Sequence, residues 1–202
     1  MINRSRIVVA LASLALLTLF FLPLWHIRLE APQYPEGLGM YIRVNTVGSA
    51  HGNDLQSINE LNHYIGMKPI TAAAIPELHW MPWIVVGLCL LGLLTAALAR
   101  RALLFGWLGT VGVVGLAGLW DFWRWGYDYG HNLSPKAAIK IPGMSYQPPL
   151  IGTKQMLNIT SHSWPALGGW ILLLGVILAV GVLLLETLRV HGRISETWPW
   201  PA

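Results

Sequence analysis

Residues 81–99 (MPWIVVGLCLLGLLTAALA) and 102–120 (ALLFGWLGTVGVVGLAGLW), separated only by Arg100 and Arg101, decide the fold of this chain. Each run has about nineteen residues without a charge, and at 1.5 Å per residue that length crosses a hydrocarbon core roughly 30 Å thick. Two such runs flanking an arginine pair read as a transmembrane hairpin. Working outward, residues 7–25, behind Arg4 and Arg6, and residues 166–185 have the same character. The first run is long for a signal-peptide core and ends in Pro23, Leu24, Trp25 and His26 with no small-x-small cleavage pattern, so it reads as a retained span. Composition agrees: the 202 residues are 54% hydrophobic and only 11% charged, far from an ordinary soluble domain. The expected fold is an all-α membrane protein, a four-helix transmembrane bundle with two long extracytoplasmic loops forming a small mixed cap.

The boundaries follow from these runs. Residues 1–25 are the first transmembrane helix, 26–80 the first outer loop, 81–120 the hairpin, 121–163 the second outer loop, 164–188 the fourth helix and 189–202 a tail. Arg4, Arg6, Arg100, Arg101, Arg189 and Arg193 all flank spans on one side, which the positive-inside rule makes cytoplasmic. Both termini then face the cytoplasm and the two long loops face out, as in a multi-pass protein of a bacterial inner membrane. Trp25, Trp80, Trp83, Trp120, Trp164 and Trp170 stand near the boundaries, as interfacial belts require. The net charge of +4 contains no basic run, so it belongs to this topology and gives no support to nucleic-acid binding. Cys89, the single cysteine, lies inside an apolar run and reads as a buried, inert thiol.

Loops this long are uncommon unless they fold or function. Within the first, residues 31–39 (APQYPEGLG) read as turn material and 40–47 (MYIRVNTV) as a short strand. Residues 53–69 (NDLQSINELNHYIGMKP) read as a helix over 53–66, with Asn53 and Gln56 spaced as a capping box and Gly66 and Pro69 as a stop. Its apolar face is Leu55, Ile58, Leu61 and Ile65; the opposite face carries Asn59 and His63, and then Met67. In the second loop, residues 121–131 (DFWRWGYDYGH) prolong the third helix and put Asp121, Arg124, Asp128 and His131 near one face as an ion-paired helix end. Residues 140–154 read as a rigid, turn-rich loop.

Six of the seven histidines (His26, His51, His63, His79, His131, His162) and Met40, Met67, Met144 and Met156 fall on the outer side. Imidazole and thioether hold copper where free thiols would oxidise. His63 and Met67 are the first candidates for ligands, His51, His79, His131 and Met144 the second rank, and Asn59 and Asn62 the groups that would fix the imidazole tautomer. Each of these side chains also has a purely structural use, in packing or backbone hydrogen bonds. The sequence has no Walker loop, no GxGxxG after a strand, no CxxCH and no HExxH. Ser161, His162 and Asp128 lack a nucleophile elbow. The spans read as free of histidine and of ionisable residues, which disfavours b-type haem and proton relay and makes the bundle an anchor. Gly106, Gly109, Gly112, Gly115 and Gly118 form a stripe suited to close helix packing within the bundle or with a partner membrane subunit.

The stretches APQYPEGLGMYI (31–42), NDLQSINELNHYIGMKPI (53–70), DFWRWGYDYGHNL (121–133) and IPGMSYQPPLIGTKQMLNI (141–159) resemble an integral membrane protein family associated with gene clusters for nitrous oxide reductase, a periplasmic copper enzyme. The resemblance implies an accessory role in assembly, copper loading or electron supply, and supplies no catalytic residues. The leading expectation is a non-enzymatic accessory protein that binds copper or docks a copper-handling partner through its cap. Two rivals stand beside it. One is a structural scaffold presenting Tyr34, Tyr41, Tyr64, Trp123, Trp125, Tyr127 and Tyr129; the other is a redox or quinone-interacting subunit using Asp121, Arg124, Asp128 and His131.

Overall fold

The computed structural model describes residues 1–139, 141, 143–190 and 192. Lys140, Pro142 and, of the expected cytoplasmic tail, His191 and everything from Arg193 onward lie outside the described residues. Among the described residues, four helices are long and apolar enough to cross a membrane: Asn3–Phe20, Glu77–Leu98, Arg101–His131 and Leu167–Arg189. The chain divides into two compact units. Unit 1 comprises Met1–Thr18, Trp83–Val114 and Ile171–Ala202; unit 2 comprises Leu19–Pro82 and Gly115–Trp170.

Unit 1 is helical. It takes α1 (Asn3–Ala15) and parts of α3 (Glu77–Leu98), α4 (Arg101–His131) and α5 (Leu167–Val190). Val9, Leu104, Trp107 and Ala179 are buried in it. At Gly92 an added Cβ would collide with the Ser13 hydroxyl and the Trp107 ring, so only glycine lets α1 and α4 approach α3 there. The Trp107 indole donates to the Leu88 carbonyl at 2.9 Å. Ala99, at φ 53°, ends α3 in the left-handed region, and Arg6 donates to the freed Ala96 and Ala97 carbonyls at 3.0 and 3.2 Å. The expectation of charge-free spans is corrected by Glu186, which is 1% exposed within α5. Its carboxylate accepts from Ser5 Oγ (2.7 Å) and the Ile2 amide (3.0 Å), and lies 3.4 Å from Arg101. Low dielectric requires such pairing of a buried charge. The glycine stripe also departs from expectation: a Cβ at Gly106, Gly109, Gly112, Gly115 or Gly118 meets nothing within 4 Å. Among the described residues, nothing packs closely against those glycines.

Unit 2 corrects the all-α reading. It holds a five-stranded antiparallel sheet in the order β3-β2-β1-β5-β4, formed by β1 (Trp25–Ala31), β2 (Tyr34–Ile42), β3 (Val47–Ser49), β4 (Gly152–Met156) and β5 (Ile159–Pro165). The first span is correspondingly shorter than expected. α1 gives way to a 3-10 turn at Leu16–Phe20, and Trp25 already lies in β1, because Pro23 cannot continue a helical ladder and WHIRLEA alternates as a strand does. Strand β2 occupies the stretch expected to be turns. Its Gly37, at φ +78°, and the register break between Leu29 and Ala31 absorb the irregularity, while Arg28 reaches across to the Glu36 carbonyl at 3.1 Å. β1 is central, pairing Ile27 with Met40 on one side and with Ser163 on the other. It therefore joins the two long loops in one sheet. Strand β5 runs through Trp164 and Pro165 into α5, whose first amides are met by chain just before β1: Gly168 donates to Pro23 (3.0 Å).

The sheet's inner face packs against α2 (Asp54–Ile65). The core is Ile27, Leu38, Met40, Val47, Ile58, Ile70, Leu78 and Tyr129, with Leu55, Leu61 and Met67 packed on it, so the apolar face expected of this helix is the one it uses. Burying a leucine- or isoleucine-sized side chain contributes about 1.5–3 kcal/mol. The prolonged third helix is also observed, with α4 continuing to His131.

Candidate functional site

Helix α2 is held by polar side chains at both ends. Asn53 makes no side-chain cap bond, and Gln56 donates to Glu60 (3.2 Å) instead of closing the expected capping box. Asp54 takes over, accepting from the Gly39 amide (2.9 Å) and the His51 amide (3.1 Å), while Ser49 Oγ accepts from Leu55 N (2.9 Å). At the far end Gly66 adopts φ +81° as the left-handed cap. Its carbonyl accepts from Ser134 N (2.7 Å), and a Cβ there would press on Ala137 and Ser134. The helix end is thereby joined to the segment after α4. Asn59 is committed to the loop that follows, donating to the Ile70 carbonyl (3.0 Å) and accepting from the Ile70 amide (2.7 Å).

The expected copper ligands are distributed singly. His51, His63, His79 and His131 are exposed. His63 rests edge-on against Tyr64 at 6.2 Å, and His51 Nδ1 lies 3.7 Å from Asp54. His131 stacks on Tyr127 at 4.0 Å with Nδ1 3.0 Å from the Tyr127 carbonyl. Met67 turns to the core, and Met144 is half-buried in the segment before Tyr146. Neither Asn59 nor Asn62 bonds His63: the first holds Ile70, and the second is buried with its Nδ2 unpartnered. Among the described residues no group of three or more His, Cys, Asp or Glu is placed to hold a metal ion.

The acidic cluster on α4 is split between two cations. Asp121 accepts from Arg124 at 2.9 Å and Glu77 lies 3.3 Å from the same guanidinium, whereas Asp128 pairs with Lys68 at 2.6 Å and accepts from Asn132. Lys68 and Glu77 had no signal in the sequence, being partners from a distant segment. His162 lies 2.8 Å from Thr153 and 3.7 Å from Glu30, so it is not assembled with Ser161 and Asp128. Beside the ion pairs runs a column of rings at helical spacing. Trp120 stacks on Trp123 (5.2 Å), Trp123 contacts Tyr127 (5.5 Å), and Tyr127 lies on His131. The first three are 63%, 40% and 46% exposed. This column is a continuous aromatic surface.

Unit 2 also holds a partly open pocket of about 60 Å³ between the inner sheet face, α2 and α4. Ile27, Ile58, Leu61, Ile70 and Ile159 supply aliphatic wall, Met40, Met67 and Met156 bring thioether side chains, and Asn62, Trp125 and Tyr146 complete the lining. Tyr146 is delivered there by Gly130. Its amide donates to the Gly130 carbonyl (2.9 Å), and any Cβ at Gly130 would strike the Gln147 backbone. Trp125 is set by its ring contact with Tyr129 at 4.2 Å. Asn62 Nδ2, Trp125 Nε1 and Tyr146 Oη are all buried and make no well-formed hydrogen bond, the Trp125 indole N–H having the Tyr129 hydroxyl as its neighbour. Leaving such a group unpaired costs about 1–3 kcal/mol. Sequence reasoning missed Trp125 and Tyr146 as a pair with Asn62, because only the tertiary fold joins residues so far apart in the chain.

The central strand also carries His26. Burial first, and then Arg28 and His51, lower its pKa from 6.5, and its Nε2 has no partner. Its ring lies 4.7 Å from Tyr41. No protein-family model, curated protein or solved structure matches this chain.

Proposed function

We propose that this chain is a membrane-anchored accessory protein for a periplasmic copper enzyme of the nitrous oxide reductase type, docking a copper-handling partner through unit 2 and performing no turnover of its own. The observation that carries this reading is the exposed ring column Trp120–Trp123–Tyr127–His131, bordered by the neutralised pairs Arg124 with Asp121 and Lys68 with Asp128. Aromatic anchors within a polar, charge-compensated rim are the composition of binding hot spots. α4 is 31 residues long, about 46 Å at 1.5 Å per residue, and exceeds the roughly 30 Å hydrocarbon core. The Tyr127–His131 end then stands clear of the lipid. The single placement of His51, His63, His79 and His131 on the surface supports docking over copper held by these side chains.

The arginines at Arg4, Arg6, Arg100 and Arg101 support a cytoplasmic location for both termini and a periplasmic one for unit 2. A photoreactive phenylalanine analogue in place of Tyr127, in native membranes, tests the reading. Cross-linking to a periplasmic copper-handling protein, abolished by Trp123→Ala, is expected. Cross-links to lipid alone would overturn it. In the same protein, His63→Ala with Met67→Ala leaves the cross-link intact if the chain docks its partner, and removes bound Cu(I) if the chain holds the metal itself.

A further inference from the structure

The first membrane helix delivers the chain into β1 through residues 21–24, and the turn between β2 and β3 meets it there. We propose that Phe21 and Arg43, brought together at this junction, form a binding site for one glycerophospholipid: the guanidinium takes the phosphodiester and the phenyl ring lies against the apolar part of the same lipid. Both residues belong to unit 2. Phe21 follows directly on Asn3–Phe20, a helix long and apolar enough to cross a membrane, and at 80% exposed it is the most open large apolar residue among those described. Its carbonyl accepts from Arg43 Nη1 at 2.8 Å. That bond holds the guanidinium at the level where the span ends, which is where a bilayer carries its phosphates. Neither residue is free to withdraw. Val44, 0% exposed, pins the turn that Arg43 N closes on the Thr46 carbonyl (2.8 Å). Leu24 N donates to the Ile42 carbonyl (2.8 Å), and the Pro23 and Leu24 carbonyls accept from Gly168 (3.0 Å) and Ala166 (3.1 Å).

The charge on Arg43 is unmatched within the protein. Arg28, Arg101 and Arg124 each stand beside a carboxylate, whereas among the described residues the Arg43 side chain has only the Phe21 carbonyl. One bond leaves most of its N–H donors open, in the planar fork that grips phosphate bidentately. The positive-inside rule does not account for this arginine, because it sits at the opposite end of the first span from Arg4 and Arg6. An acidic protein segment would satisfy the fork and leave the phenyl ring bare. A phospholipid supplies phosphate and hydrocarbon in one molecule. Leu167 and Trp170, 59% and 53% exposed, add apolar surface on the first turn of α5, the turn bonded to Pro23, where a second span begins. The site rests on these helices crossing a membrane and not on the docking of a copper-handling partner, so either reading can fail alone.

The test uses the full chain, 15N-labelled at arginine, in vesicles of phosphatidylethanolamine and phosphatidylglycerol. The guanidinium signal removed by Arg43→Gln, and equally by Arg43→Lys, belongs to Arg43, and its 15N–31P dipolar dephasing reports lipid phosphorus in contact with it. Strong dephasing of that signal is expected, with its loss in Phe21→Ser, which keeps the carbonyl and the arginine and removes the ring. In vesicles of digalactosyl diacylglycerol, which has acyl chains and no phosphorus, dephasing should be absent even with inorganic phosphate in the buffer. Any of three results would overturn the proposal. They are an undephased Arg43 signal in the phospholipid vesicles, full dephasing retained in Phe21→Ser, and dephasing by inorganic phosphate in the galactolipid vesicles, which would make this a site for the free anion.

Discussion

The two units treat their buried polar atoms in opposite ways. In unit 1 Ser13 donates to Val9, Thr95 to Leu91 and Trp107 to Leu88, and Glu186 gathers Ser5, Ile2 and Arg101. Among the described residues Arg189 Nε is the one buried side-chain atom there without a partner; in unit 2 His26, Asn62, Trp125, Tyr146 and Ser161 each leave one. A segment surrounded by hydrocarbon must satisfy itself, because no water will do it. Where water is at hand, it can take the place of a protein partner. The two units thus differ in how completely their buried polar side chains are satisfied.

The contrast can be broken first at Glu186. Glu186→Ala leaves Arg101 without its counter-charge and strips the acceptor from Ser5 and Ile2, at a cost on the order of 3 kcal/mol. Thermal unfolding in detergent should show the loss, with hydrogen exchange rising in α1 and leaving the sheet unchanged. Gly130→Ala is the reciprocal break. Its Cβ would displace the Gln147 backbone and with it Tyr146, costing about 1–3 kcal/mol, and exchange should rise across 144–149 while α1 stays protected. Asn59→Ala removes both bonds to Ile70 and should cost about 1–2 kcal/mol, visible as faster exchange at residues 68–72.

The smallest effect sharpens the comparison through pH. His26 has a folded pKa below the 6.5 of the free side chain, so the unfolded chain binds the proton more readily. The stability it contributes is present above about 6.5 and is lost as pH falls from there through the lower folded value. His26→Gln should flatten the melting temperature of unit 2 over that acidic window. An unchanged slope would place the pH dependence elsewhere.

How much of this was legible in the sequence depends on how local each signal is. The membrane helices, α2 and the extension of α4 announce themselves by apolar runs, helical spacing and the Gly66 stop. The sheet does not: β2 carries Pro35, Gly37 and Gly39, and β4 reads GTKQM, so both resemble turns. Their strand character comes from their neighbours: β1 pairs Arg28 with Gly39 of β2, and β5 pairs His162 with Thr153 of β4. Glu186 escaped notice because, near the end of a span, it resembles a tail charge; its burial depends on Ser5 and Arg101. The expected ligand pair was divided by Gly66, whose left-handed turn leaves His63 on the surface and sends Met67 inward. Asn62 lay one position from the residue the sequence favoured, yet its place beside Trp125 and Tyr146 appears only in the tertiary fold.

The central claim is that unit 2 leaves buried polar atoms unmatched where unit 1 matches them, and Tyr146→Phe tests it most directly. Removing an unpartnered buried hydroxyl should stabilise the protein by about 1 kcal/mol, raising its melting temperature about 2–4 °C. A lower melting temperature would show that the hydroxyl serves the fold, and would contradict the account.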